Sequence, residues 1–109
     1  MTSKTKIPEA FFIVADFDKL GRATCIDWER CSRADMLAQL KSHEYDRPLS
    51  VQHIIPAEGT IRDVSEEFAQ AIIDGVSDGD EYPHGGLLDF CEDHLGCQTM
   101  AEVAREIAA

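Results

Sequence analysis

The sequence predicts an α+β domain, because the period of its hydrophobic pattern changes along the chain. Residues 10–17 are rich in aromatic and β-branched side chains, and residues 49–55 alternate in the manner of a half-buried strand. In residues 31–45 and 63–109, apolar side chains recur every three or four positions, as in amphipathic helices. We therefore expect the order ββαβααα, with a three-stranded antiparallel sheet in strand order 2-1-3 and the helices on one face. All 109 residues fit one domain with one core.

The first two strands are predicted to form a hairpin, preceded by a flexible lead-in over residues 1–9. "AFFIVADF" (10–17) is the first strand, and "DKLG" (18–21) is a tight connection in which Gly21 is free to adopt a positive φ. "RATCIDW" (22–28) is the returning strand. Alternation along the first strand places four apolar side chains on one face: Phe11, Ile13, Ala15 and Phe17.

A helix and a third strand follow the hairpin. Ser32 and Asp35 have the spacing of a capping box, with aspartate in place of the usual glutamate. The helix directs Met36, Leu37 and Leu40 to one side. Pro48 prevents the helix from continuing into "LSVQHII" (49–55), which alternates as a half-buried strand. "PAEGT" (56–60) is predicted to be a turn.

Three further helices are predicted in the second half, and residues 75–109 are expected to form an acidic helical hairpin. Asp63 and Glu66 would cap the helix over 64–74, and Gly96 would end the helix that begins at residue 87. Thr99 and Glu102 have capping-box spacing for the last helix. The side chains of that helix expected to face the core are Met100, Val103, Ala104 and Ile107.

The charge of the chain is concentrated in its second half. The formal net charge is −11, but residues 1–62 carry nine acidic and nine basic side chains, which cancel. Residues 63–109 carry twelve acidic side chains and one basic one, Arg105. Direct binding to nucleic acid or to an anionic membrane surface is therefore disfavoured, because phosphate contacts require lysine and arginine. A DNA-reading interpretation of the last two helices fails for the same reason.

The chain is expected to be a cytoplasmic protein with reduced cysteines. Its first six residues are polar, and the apolar run "AFFIVA" is too short for the core of a signal peptide or for a membrane span. In the cytoplasm, four cysteines are expected to remain thiols rather than form disulfides.

Metal binding and catalysis have limited support from sequence motifs. Cys91, His94 and Cys97 are spaced C-x₂-H-x₂-C, and His84 lies seven residues upstream, which makes these four the candidate zinc ligands. A helical wheel, however, directs Cys91 and His94 toward the apolar face, where a buried cysteine is the more usual interpretation. A calcium loop is disfavoured because Pro83 stands where a glycine is needed. No nucleophile or phosphate-loop motif is recognised, so we predict neither a cofactor nor an enzyme.

The acidic side chains of the second half are predicted to lie on the outward sides of successive helices. Such a surface keeps a protein soluble, but it also attracts basic partners and accelerates their association. Arrays of carboxylates can stand in for phosphates, so the predicted partner is a basic surface of a nucleic-acid-handling protein, with this chain as inhibitor or regulator. The residues predicted to bind it are Glu67, Asp74, Asp78, Asp80, Glu81, Asp89, Glu92 and Asp93. Two alternatives remain: a housekeeping domain that acts through its neutral hairpin half, and a small zinc-binding protein.

Two stretches, "FFIVADFDKLGRA" and "EYDRPLSVQHIIPAEGTIRDVSEEFAQAI", resemble a group of short, uncharacterised bacterial proteins. The resemblance covers roughly residues 11–73 and implies a compact βαβα unit and an intracellular location, but no activity. In charge and size alone, the chain is also similar to acidic nucleic-acid-mimicking inhibitors from phages and mobile elements, including anti-CRISPR proteins. Neither resemblance carries functional residues over to this chain.

Overall fold

The computed structural model describes residues 9–16, 22–24 and 29–108, with the backbone alone described for 22–24. The fold is α+β, as predicted, with an antiparallel sheet and four α-helices. A 3₁₀ turn, Pro56–Glu58, lies between the third and fourth strands. The elements are β1 (Ala10–Asp16), β2 (Arg22–Thr24), α1 (Arg33–Lys41), β3 (Pro48–Ile55), β4 (Thr60–Asp63), α2 (Ser65–Ser77), α3 (Gly85–Leu95) and α4 (Cys97–Ala108).

The sheet contains a strand that the sequence did not reveal. Its order is β2-β1-β3-β4, so the predicted order 2-1-3 and the predicted ββαβααα pattern do not match in full. The expected turn "PAEGT" is a 3₁₀ turn that ends at Gly59, whose φ of +66° is readily adopted by glycine. The chain then runs back along β3, pairing Ile61 with Ile54. All four residues of β4 are exposed, so the strand has no alternating pattern to recognise.

One face of the sheet and all four helices contribute to one cluster of buried side chains. Phe11, Ile13 and Ala15 of β1 are buried together, as predicted, whereas Phe17 and the predicted connection 18–21 lie outside the described residues. Val51 of β3 pairs with Ile13 and belongs to the same cluster. The helices add further buried side chains, including Met36 and Leu40 of α1, Phe68 of α2, Phe90 of α3 and Met100 of α4.

The predicted capping box is present at the start of α1 but not at the start of α2. The capping box at α1 is confirmed: the Ser32 hydroxyl accepts from the Asp35 amide at 3.1 Å, and the Asp35 carboxylate accepts from the Ser32 amide at 3.2 Å. At α2, Asp63 does accept from the Ser65 amide at 2.9 Å, but the helix has no reciprocal capping box with Glu66, which is exposed.

The last helix begins earlier than predicted. Gly96, with a φ of +97°, ends α3, and α4 starts directly after it at Cys97, so the predicted cap at Thr99 lies inside the helix. The Met100 amide already donates to the Gly96 carbonyl at 3.2 Å. Met100 is buried as predicted, but Ile107 is 51% exposed and does not belong to the core. None of the helices that the structure describes is long and apolar enough to cross a bilayer.

Candidate functional site

The eight residues predicted to bind a partner lie at the protein surface. They come from α2, from the loop over residues 78–84 and from α3. The opposite sides of the two helices are buried in the core. Seven are exposed and Glu92 is half-buried. The exposed seven are Glu67, Asp74, Asp78, Asp80, Glu81, Asp89 and Asp93.

Two of these carboxylates already have cationic partners from the first half of the chain. Glu67 lies 3.2 Å from the Arg33 guanidinium, and Asp80 lies 2.8 Å from the Lys41 ammonium. Both bases belong to α1, which packs beside α2. Arg105, the one base of residues 63–109, is therefore not the only cation that serves these acids, because bases distant in sequence also reach them. The pairs are about half exposed, so each contributes roughly 0–1 kcal/mol to stability.

The loop over residues 78–84 is tied down at several points. The Asp80 amide donates to the Gly75 carbonyl at 2.9 Å, while the Asp80 carboxylate binds Lys41. The Tyr82 hydroxyl donates to the Met100 carbonyl at 3.0 Å, which links the loop to α4. The carboxylates of this loop therefore project from a backbone that hydrogen bonds hold in place.

Four of the remaining acidic side chains, Asp74, Asp78, Asp89 and Asp93, are exposed to solvent. Asp74 accepts a hydrogen bond at 3.0 Å from Gln70, one helical turn earlier on α2. Asp89 and Asp93 lie one helical turn apart on the exposed side of α3. Within the described ranges, no ion pair joins Asp74, Asp78, Asp89 or Asp93 to a cation. We name these four carboxylates the open acidic set.

The four residues of the zinc alternative do not form one ligand group in the described part of the chain. Cys91 is fully buried, and burial, followed by the nearby charge of Glu92, raises the pKa of its thiol to about 12. The His94 ring lies against Phe90 and donates from Nε2 to the Leu49 carbonyl at 2.8 Å. Cys97 is exposed at the start of α4. A cysteine binds zinc as its thiolate, and the environment of Cys91 opposes formation of that thiolate.

His84 instead lies beside two residues that were not combined with it from the sequence. Its ring stacks on His43 with 4.3 Å between ring centroids, and its Nε2 lies 3.5 Å from the Glu81 carboxylate. His43 was missed because it follows α1, 41 positions before His84, and no local spacing connects the two. The backbone of His43 is also distinctive: its φ of +59° lies in the left-handed region, which only a few per cent of non-glycine residues adopt.

Comparisons with known proteins do not place the chain in a family. Neither a scan of protein-family models nor searches of curated proteins and of solved structures found a match. The resemblance of residues 11–73 to short bacterial proteins therefore remains a prediction, and functional proposals rest on the chemistry of the chain itself.

Proposed function

We propose that the protein is a non-enzymatic binding module whose acidic surface docks on a basic surface of a nucleic-acid-handling protein, as an inhibitor or regulator. The observation that carries the proposal is the distribution of charge. Twelve acidic side chains and one arginine occupy residues 63–109, and seven of the eight predicted contact residues are exposed. A surface of this sign attracts cationic surfaces and repels nucleic acid itself.

The open acidic set is the part of this surface best suited to docking. Glu67 and Asp80 are already compensated by Arg33 and Lys41, so a partner would gain less from them. Asp74, Asp78, Asp89 and Asp93 are free to accept new charge-assisted hydrogen bonds. Their field extends about 8 Å at physiological ionic strength, which is enough to steer a cationic partner before contact.

Nucleic-acid-binding clefts are the basic surfaces with the most suitable chemistry. They use arginine and lysine to bind phosphate oxygens, and the same side chains bind carboxylate oxygens, often in bidentate fashion. A chain that presents carboxylates from two helices and a tied loop offers several such oxygens at once. Occupying the cleft would exclude the nucleic acid, which explains an inhibitory or regulatory role.

The proposal is tested by charge reversal with a matched control. Asp89→Lys/Asp93→Lys reverses two members of the open acidic set, and Glu58→Lys/Glu106→Lys makes the same change in net charge at exposed positions outside the predicted contact residues. Each form is immobilised, exposed to lysate from cells that express the protein, and eluted with a salt gradient. We expect the wild type and the control to retain shared partners, and the Asp89/Asp93 variant to release them at lower salt.

A second arm asks whether those partners normally hold nucleic acid. Double-stranded DNA or RNA added to the column should displace them, because both ligands would use the same basic surface. Equal retention by the wild type and by the Asp89/Asp93 variant would contradict the proposal. Equal losses in both charge-reversal variants would show that only net charge matters, and would remove the assignment to the open acidic set.

A further inference from the structure

We propose that His43, Glu81 and His84 form a binding site for a divalent transition-metal ion, with zinc as the best fit. The site shares Glu81 with the residues predicted to bind a partner and His84 with the cysteine-containing set considered above, but the metal-binding proposal does not rest on the docking proposal. One ligand atom from each of the three side chains lies within 4.8 Å of the others. Within the ranges that the structure describes, this is the group of three with such convergence.

The spacing is close to what zinc requires. Zinc–nitrogen and zinc–oxygen bonds of about 2.0–2.1 Å in tetrahedral array place neighbouring ligand atoms about 3.4 Å apart. The His84 Nε2 and a Glu81 carboxylate oxygen are already 3.5 Å apart. The remaining pairs need to close by at most roughly 1.4 Å from the 4.8 Å limit. Side-chain rotations can make such a change, because His84 is exposed and the half-buried His43 lines a cavity.

The donor set also selects the class of ion. Two imidazoles and one carboxylate are a recurring protein ligand set for zinc, in which water completes the coordination. Magnesium and calcium prefer sets made of oxygen atoms, so two nitrogen ligands count against them. The Glu81 carboxylate offsets part of the charge of the ion, and Asp80 precedes it in the chain.

The fold brings the three ligands together from elements distant in sequence. The Lys41–Asp80 pair joins the end of α1 to the loop just before Glu81, at 2.8 Å. At the start of α3, Gly86 lies so close to the Asp46 carbonyl that any side chain would overlap it. These two contacts hold the loop against the segment after α1, on which His43 projects from its left-handed backbone position.

A cavity lies beside the three ligands and provides space for the fourth coordination position of the ion. It measures about 200 Å³, and His43 and Glu81 line it together with Tyr82 and Leu87. Its wall also contains Lys41, whose ammonium is already engaged by Asp80. The space is large enough for a metal-bound water, and its wall combines apolar side chains with Lys41 and with the carboxylates of Asp80 and Glu81. If no metal binds, the histidine stack and the Glu81–His84 contact serve only to fix the loop over residues 78–84. That alternative predicts no zinc uptake, whereas a metal site predicts uptake that depends on the three side chains.

The decisive measurement is calorimetric titration of the chelator-treated full chain with zinc chloride. We expect about one ion per chain, and a loss of affinity of at least about 100-fold in His84→Gln and in His43→Asn. Asparagine tolerates the left-handed conformation at position 43, so that variant removes a ligand without adding backbone strain. Glu81→Gln should also weaken binding, because it removes the charged ligand. Circular dichroism checks that each variant is folded.

Two control variants separate this site from other metal-binding groups. His53 belongs to another histidine–glutamate pair, 2.7 Å from Glu9, so His53→Gln should bind zinc as the wild type does. Cys97→Ser should also retain binding, because the exposed thiol is not one of the three ligands. Cobalt(II) substitution gives an independent reading: nitrogen and oxygen ligands produce no thiolate-to-metal charge-transfer band. No zinc uptake by the wild type, full uptake by the His43 and His84 variants, loss in Cys97→Ser, or a thiolate band would each overturn the proposal.

Discussion

Two helical glycines should differ in how much stability they lose on replacement by alanine, because the neighbours of one are backbone atoms and those of the other are flexible side chains. A Cβ at Gly86, in the first turn of α3, would overlap the Asp46 carbonyl oxygen and lie 2.7 Å from its carbonyl carbon. Backbone atoms at this point cannot rotate away. A Cβ at Gly75, near the end of α2, would instead meet the ends of two flexible side chains, the Asp80 carboxylate and the Lys41 ammonium, the latter at 3.2 Å.

The expected magnitudes follow from two opposing effects. Replacing glycine with alanine in a helix stabilises it by up to about 1 kcal/mol. At Gly75 this gain opposes the loss of an exposed Lys41–Asp80 ion pair, which contributes roughly 0–1 kcal/mol, so Gly75→Ala should be nearly neutral. At Gly86 the gain opposes overpacking against backbone, which costs about 1–3 kcal/mol or more. We expect Gly86→Ala to lower the free energy of unfolding by about 2 kcal/mol.

Urea unfolding monitored by circular dichroism measures both variants under the same conditions. For Gly86→Ala, the midpoint should fall by roughly 1 M, with an unchanged dependence on urea. Gly75→Ala serves as the matched control, since it makes the same chemical change in a helix of the same domain. The reasoning is refuted if Gly86→Ala is as stable as the wild type, or if both variants lose the same stability.

Two further predictions concern individual side chains. Burial, with a smaller contribution from Glu92, raises the pKa of Cys91 to about 12. Alkylation of the native protein, followed by mass spectrometry, should therefore modify the exposed Cys97 well before Cys91. Comparable rates of modification at the two cysteines would contradict the packing of α3. Partial burial raises the pKa of Asp63, but hydrogen bonds from the Ser65 hydroxyl and amide outweigh it, and the pKa lies below its usual value. This stabilisation is complete above the unfolded-state pKa and is lost as the pH falls through the folded-state pKa, so Asp63→Asn should flatten the acid limb of a stability–pH profile. An acid limb as steep as that of the wild type would count against this role for Asp63.

Features that depend on neighbouring residues were predictable from the sequence. The Ser32–Asp35 capping box joins positions three apart, and the burial of Phe11, Ile13 and Ala15 follows from strand alternation. The start of α4 was mistaken because a helix-ending glycine normally precedes a turn, whereas Gly96 connects two helices directly. In β4, full exposure removed the alternation on which strand prediction depends.

The candidate site shows the same division between local and distant information. The excess of acids in the second half is visible in the composition, and helix periodicity correctly placed most of them outward. Their pairing was not predictable, because Arg33 and Lys41 reach Glu67 and Asp80 across 34 and 39 positions. The meeting of His43 with His84 likewise depends on how α1 packs beside the loop over residues 78–84. Such contacts follow from tertiary packing, and a single sequence carries no local signal for them.

The buried cluster has a consequence for how the protein is made. Phe11 near the beginning of the chain and Met100 in the last helix belong to the same core. During synthesis, the first strands therefore leave the ribosome long before the side chains that complete their burial exist. The apolar face of β1 and β3 therefore stays exposed until α3 and α4 have been synthesised. Folding is consequently expected to finish only after α4 has emerged. Until then, we expect the exposed apolar surface of the emerging chain to bind chaperones.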